Sequence, residues 1–195
     1  MKKRLFTIIF VLSLFINNVI AIEPDIFVQS TVNRASKLLS EDISKEKKIE
    51  ELKLIAKDTV DIKGIGFYTL GAARKTLNQS DKSKYTELFE KYFLKSFSSR
   101  LAEYTNPEID VYGKKVINEN YTIVQSTLKA TDERPEIKID WRIYTKNPDK
   151  PLIRDLIIEG LSLARTQKEE FLSVLTSNDG DINALFKTLE EFSNN

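Results

Sequence analysis

The 195-residue chain contains no cysteine and no histidine. Without cysteine there is no disulfide, no thiolate nucleophile and no cysteine-based zinc site; without histidine there is no imidazole base, and the commonest metal ligand is missing. Those two absences exclude most familiar hydrolase and redox sites, and neither a metal nor an organic cofactor is expected. Glycine and proline are scarce, with 6 and 5 residues, and they form no linker-like tract and no repeat that would divide the chain. An excess of charge of one sign is also missing, since 30 Lys and Arg stand against 29 Asp and Glu. The lysines are interleaved with glutamates rather than gathered on a stripe, so there is no electrostatic footprint for nucleic acid and no such partner is expected.

One long apolar run is present. Lys2, Lys3 and Arg4 precede the stretch Leu5 to Ile16, and Val19-Ile20-Ala21 supplies small or β-branched residues at the positions a signal peptidase reads. This is the pattern of a secretory leader cleaved after Ala21. The stretch is shorter than the roughly 20 apolar residues a bilayer-spanning helix needs, and Asn17 and Asn18 interrupt it. Residues 1–21 are therefore read as a signal peptide and residues 22–195 as a single α+β domain. Losing the leader removes three basic residues and no acidic one, leaving 27 against 29 and a net charge of −2. A remainder of roughly 170 residues can bury a core without covalent staples.

The periodicity of the remainder changes along its length. Ile26, Val32, Ala35 and Leu39 approximate a helical stripe, and Ile49, Leu52, Ile55 and Ala56 form another over Lys45 to Thr59. Asp61 can cap a third segment containing "GIGFYTLGAA". The most strongly patterned helix runs through "SDKSKYTELFEKYFLKSFSSRLAEY", where Tyr85, Leu88, Phe89, Tyr92, Phe93, Phe97 and Leu101 recur at three-and-four spacing and Ser80 or Asp81 stands at the cap. After Pro107 the period becomes two. "EIDVYGKKV" and "YTIVQSTLKA" alternate loosely, "EIKIDWRIY" alternates cleanly, and "PLIRDLIIEG" follows the turn-forming "KNPDKP". Consecutive strands joined by short turns make an antiparallel meander with one apolar face. Two helices separated at Asp179-Gly180 complete the chain. The expected architecture is α+β: a twisted antiparallel sheet of about four to five strands wrapped by helices.

The aromatic supply is large for such a fold. Rings at Phe67, Tyr68, Tyr85, Phe89, Tyr92, Phe93, Phe97, Tyr104, Trp141 and Phe171 either fill a core or border a cavity, and spacing alone leaves both open.

Two stretches resemble the MlaC family, also described as toluene-tolerance auxiliary proteins. In "LIRDLIIEGLSLARTQKEEF" the matching positions are Asp155, Glu159, Gly160, Ser162, Gln167 and Phe171, and the later "DGDINALFKTL" resembles the family's ending. Upstream, Leu70-Gly71, Arg74 and the helix ending in Tyr104 resemble a second family element. The likeness spans most of Phe67 to Leu189. It departs from the pattern at Ala73, where the family usually has tryptophan, and at Ile153 to Asp155, where an aromatic is missing; both losses bear on pocket volume.

The resemblance implies a non-enzymatic periplasmic phospholipid carrier, a monomer, that shuttles lipid between an outer-membrane lipoprotein complex and an inner-membrane complex of an MCE-domain protein and an ABC transporter. Its acyl chains would lie in an apolar cavity between sheet and helices. Two chains of about 15 methylenes, at roughly 0.8 kcal/mol each, amount to about 24 kcal/mol of hydrophobic transfer free energy to shield from water. A cavity near the upper end of the roughly 300–1,000 Å³ range of ligand pockets is expected. The candidate lipid-binding residues are Phe67, Leu70, Phe97, Leu101, Val124, Leu128, Ile139, Trp141, Ile158, Leu161 and Leu163, with Leu156 also at the strand-to-helix corner. Arg74, Arg142 and Arg165 are the candidate head-group contacts. Glu159 is expected to cap the following helix or pair with a basic residue.

Two other readings stand beside this one. A scaffold could bind a peptide or partner helix in an apolar groove. An enzyme on a cone-shaped α+β fold could use Asp140 with Tyr121 or Tyr144 as acid and base, although Asp140 falls on the polar side of its strand.

Overall fold

In the computed structural model, residues 21–132 and 134–194 are described; the leader expected over residues 1–21 lies, apart from Ala21, outside them. The chain begins with α1 (Pro24–Ser40), α2 (Lys45–Thr59) and α3 (Ile62–Thr69), followed by a single 3₁₀ turn, Ala73–Lys75, and the long α4 (Gln79–Leu101). The strands follow in sequence: β1 (Ile109–Asn118), β2 (Tyr121–Leu128), β3 (Ile137–Tyr144), β4 (Leu152–Ile158) and the two-residue β5 (Leu161–Ser162). Then come α5 (Leu163–Thr176) and α6 (Ile182–Asn194). The sheet order is β1-β2-β3-β4-β5, antiparallel throughout. Among the described residues no helix is long and apolar enough to cross a membrane.

Local chemistry places the helix boundaries. Pro24 opens α1, where a missing N–H costs nothing. The buried stripe differs from the expected one: Val28, Val32 and Leu39 face inward, and Ile26 stands 64% exposed. The Ser44 side chain caps α2 and the Asp61 carboxylate caps α3, accepting from the Gly64 N–H at 2.9 Å. The cap of α4 is Asn78, not Ser80 or Asp81. Its carbonyl oxygen accepts from the Asp81 N–H at 2.8 Å, and its amide donates back to the Asp81 carboxylate. Asp179 and Gly180, with φ of 54° and 82°, stop α5, and the Gly180 N–H returns to the Leu175 carbonyl at 2.8 Å.

The sheet buries one face. On β2, Thr122, Val124, Ser126 and Leu128 point inward, and on β3 so do Ile139, Trp141 and Ile143. A bulge in β4 lets Arg154 stand out of register between Ile153 and Asp155. Its guanidinium donates to the α3 cap Asp61 at 2.6 Å and to the Tyr121 hydroxyl at 2.7 Å, and lies 3.8 Å from the centre of the Tyr144 ring. Burial opposes its charge, but Asp61 and Tyr121 more than offset that and hold its pKa above the ordinary arginine value. The α3 cap is thereby tied to the sheet. The main core joins Val28 and Val32 of α1, Leu70, Tyr85 and Phe89 of the α3–α4 region, the inner face of the sheet, and Leu185, Phe186 and Leu189 of α6. Leu38, Leu39 and Leu52 form a smaller cluster between α1 and α2.

Candidate functional site

Residues at i, i+4 spacing on α4 build a column of rings. Tyr85 and Phe89 stack at 5.7 Å, Phe89 and Phe93 meet at 6.1 Å, and Phe93 stacks on Phe97 at 5.5 Å and 11°. Phe171 of α5 meets Phe89 edge-on at 6.2 Å. The column closes its buried end, where Tyr85 donates or accepts a 2.8 Å hydrogen bond with Thr69. Toward Phe97 it leaves space. A cavity of about 270 Å³ lies between α4, α5 and strands β3 and β4, walled by Phe93, Phe97, Trp141, Ile153, Leu156 and Ala164.

The polar atoms of the wall are already bonded within the protein. The Trp141 indole N–H donates to the Ser126 hydroxyl at 2.8 Å, which itself donates to the Ile139 carbonyl. Asp155 is a buried carboxylate on this wall. It accepts from the Ala164 N–H at 3.0 Å and from the Ser162 hydroxyl at 2.6 Å, while Ser162 caps α5 through the Arg165 N–H at 3.1 Å. The charge therefore sits on the positive end of α5.

The rim is polar. The Tyr92 hydroxyl donates to Gln167 at 2.7 Å, and the Gln167 amide donates to Glu170 at 2.9 Å. Burial and the neighbouring Glu170 raise the Tyr92 pKa, while the Gln167 bond and Arg100 pull it back. Arg100, in the last turn of α4, reaches the same mouth.

The strand-to-helix corner is a two-residue hairpin turn. Glu159 and Gly160 both have positive φ, 48° and 82°, as a turn matched to the strand twist requires. Glu159 does not cap α5; its carboxylate accepts from the Lys138 N–H on β3, because Asp155 and Ser162 already occupy the helix end.

Of the residues singled out in the sequence, Phe97, Trp141 and Leu163 lie on this cavity, and so does Leu156. Leu70, Val124, Leu128 and Ile139 are buried in the main core, and Phe67 packs against it. Leu101 packs against the smaller cluster. Ile158 is partly buried away from the cavity, and Leu161 is 59% exposed at the corner. Arg74 and Arg165 are exposed, while Arg142 borders a second space of about 400 Å³ with Tyr68, Tyr121 and Arg154, which shares Ile65, Asp155 and Ala164 with the first. Asp140 pairs with Gln125, next along the strand from Trp141 and so on the opposite face from the cavity; Tyr121 and Tyr144 are engaged with Arg154. Sequence reasoning missed Phe93, Ala164, Gln167 and Arg100 as cavity residues. The i, i+4 ring column of α4 was the available signal.

The cavity is smaller than expected. At about 270 Å³ it falls just under the roughly 300–1,000 Å³ typical of ligand pockets, because the Phe93 and Phe97 rings and Leu156 project into the gap between sheet and helices.

An antiparallel sheet covered on one face by helices, with a partly empty apolar interior and a polar mouth, defines a hollow α+β binding fold. This chain belongs to the MlaC family, whose model, described as MlaC protein, matches residues 29–191. The fold is similar to that of a phospholipid-binding protein from Ralstonia solanacearum solved in complex with a phospholipid. The TM-score is 0.74 over 88% of this chain and 97% of the other, at 17% identity. No curated protein shows significant similarity to the chain.

Proposed function

We propose that this chain is a periplasmic phospholipid carrier, exported by its leader, cleaved to a single domain over residues 22–195, and without catalytic activity. The observation that carries the reading is the apolar cavity between the α4 ring column and the β3–β4 wall, in a family fold whose phospholipid-bound neighbour it resembles. Acyl chains enter beside Phe97, Leu156 and Leu163, and the head group stays at the rim. Because the chains pass from one hydrocarbon medium to another, the net free-energy change of transfer is small although exposure to water is costly. Delivery in either direction is then possible without a chemical step. The partners are an outer-membrane lipoprotein complex and an inner-membrane MCE-domain and ABC-transporter complex, which a monomer visits in turn.

Filling the cavity with two chains requires it to widen, and Phe93, Phe97 and Leu156 are the side chains that must swing aside. Native mass spectrometry of gently purified protein should show co-purifying diacyl lipid. Phe97→Asp places a carboxylate on the wall, and Ala164→Trp fills the space; both should lose the lipid. Lipid-free wild-type protein, or undiminished retention in folded Ala164→Trp, would overturn the carrier reading.

A further inference from the structure

The second space, at about 400 Å³, falls by itself within the roughly 300–1,000 Å³ range of ligand pockets. It lies against the other face of the sheet. Tyr121 and Ile123 of β2 and Arg142 of β3 alternate with the inward Thr122, Val124, Trp141 and Ile143, so they point away from the α4 ring column. Gly64, Ile65 and Tyr68 of α3 stand across the space from them, and Ile117 of β1 borders it. Ile65, Asp155 and Ala164 form the wall it has in common with the first cavity, while Tyr68 and Ile117 are exposed at its outer side. A molecule can therefore enter it from solvent without passing through the first cavity.

The charged groups of its lining are committed, with one exception. Arg154 is held by Asp61 and Tyr121, and Asp155 by the Ser162 hydroxyl and the Ala164 N–H. Arg142 is half-buried and makes no hydrogen bond or ion pair among the described residues. Asp155 is its partner across β4, but that carboxylate is turned to the first turn of α5 and bonded there. Lys168 adds a further cation, its ammonium 5.3 Å from the centre of the Tyr68 ring. Arg142, Arg154 and Lys168 thus stand against Asp61 and Asp155, which leaves one positive charge beside the apolar faces of Ile65, Ile117 and Ile123. A monoanion with an apolar body matches that balance, and the guanidinium fork matches the two oxygens of a carboxylate. A phosphate monoester, which carries nearly two charges at neutral pH, exceeds it.

We infer that this space is a second binding site, separate from the acyl-chain cavity, for a single-chain carboxylate of the fatty-acid class. Arg142 holds the carboxylate, and the chain lies over Ile123 toward Ile65 and Ala164. The inference goes beyond the carrier reading and does not depend on it. The test titrates octanoate into the protein as purified at low ionic strength and follows the backbone amides by two-dimensional NMR. Shifts should centre on Tyr68, Ile123 and Arg142. Octanol, which has the same chain without the charge, and acetate, which has the charge without the chain, should each bind at least tenfold more weakly. Arg142→Gln should weaken octanoate about tenfold, the scale of one charge-assisted contact. Arg142→Lys should restore part of the loss, which a purely structural defect would not allow. Shifts centred on Phe93 and Phe97, octanol binding as tightly as octanoate, an affinity indifferent to Arg142→Gln, or no shifts at all would each overturn the inference. Phospholipid co-purifying with the same samples is scored separately by native mass spectrometry, so that a failure of the carrier reading is told apart from a failure of this one.

Discussion

Asp155 shows how a single residue links strand, helix and cavity. Its carboxylate is buried and holds both the Ala164 N–H and the Ser162 hydroxyl, so it anchors the first turn of α5 against β4. Removing it leaves a buried N–H without a partner. Asp155→Ala should cost about 1–3 kcal/mol, read as a lower urea midpoint with an unchanged slope; Asp155→Asn, which retains an acceptor, should cost less. A midpoint unmoved by the alanine would mean that the helix end is held by other contacts. Tyr85 supplies a pH dependence. Burial pushes its phenol well above the ordinary tyrosine value, against the smaller opposite effect of the Thr69 hydrogen bond. The folded state thus favours the protonated form, and the stability this contributes is fully present below about pH 10, the unfolded value. It is lost as pH rises beyond that toward the folded value. Tyr85→Phe should give a lower midpoint at neutral pH and a shallower decline above pH 10; parallel alkaline declines would show that another group controls the loss.

At the scale of elements, α4 and α5 are the helical walls of the cavity. The two helices meet through the Phe89, Tyr92 and Phe171 rings and the Gln167 hydrogen bond, side-chain contacts rather than the continuous backbone ladders of the sheet. Widening the cavity therefore costs less by shifting a helix than by parting strands. Spin labels at Lys91 on α4 and Glu169 on α5 should show a longer separation once phospholipid is loaded. A separation unchanged by loading would place the expansion at the sheet instead. Much of this level was legible in the sequence. The ring spacing of α4, the clean alternation of "EIKIDWRIY" and the Asp179-Gly180 stop are all local signals, and each element lies where they indicate. Caps were less legible. Asn78, Ser80 and Asp81 all suit an N-cap, and the choice falls on Asn78 only because its side chain meets the Asp81 N–H.

For the molecule as a whole, the single tryptophan is a built-in reporter. Trp141 lies on the cavity wall, nearly buried, with its N–H satisfied by Ser126. Phospholipid loading should change its emission wavelength and protect it from acrylamide, whereas a soluble head-group analogue without acyl chains should do neither. An emission spectrum indifferent to loading would mean that the acyl chains do not reach this wall.

Composition and periodicity by themselves determined the chemistry that is excluded, the order of helices and strands, and which residues are apolar enough to be inside. These are properties of a residue and its near neighbours along the chain. Only the tertiary structure decided which apolar residues border empty space. Val124 and Trp141 occupy equivalent inward positions on paired strands, yet Val124 is closed in the core and Trp141 faces the cavity. Where α4 and α5 cross the sheet determines the difference. No pattern in either strand records that crossing, because a void is bounded by residues far apart in sequence and is encoded by none of them singly.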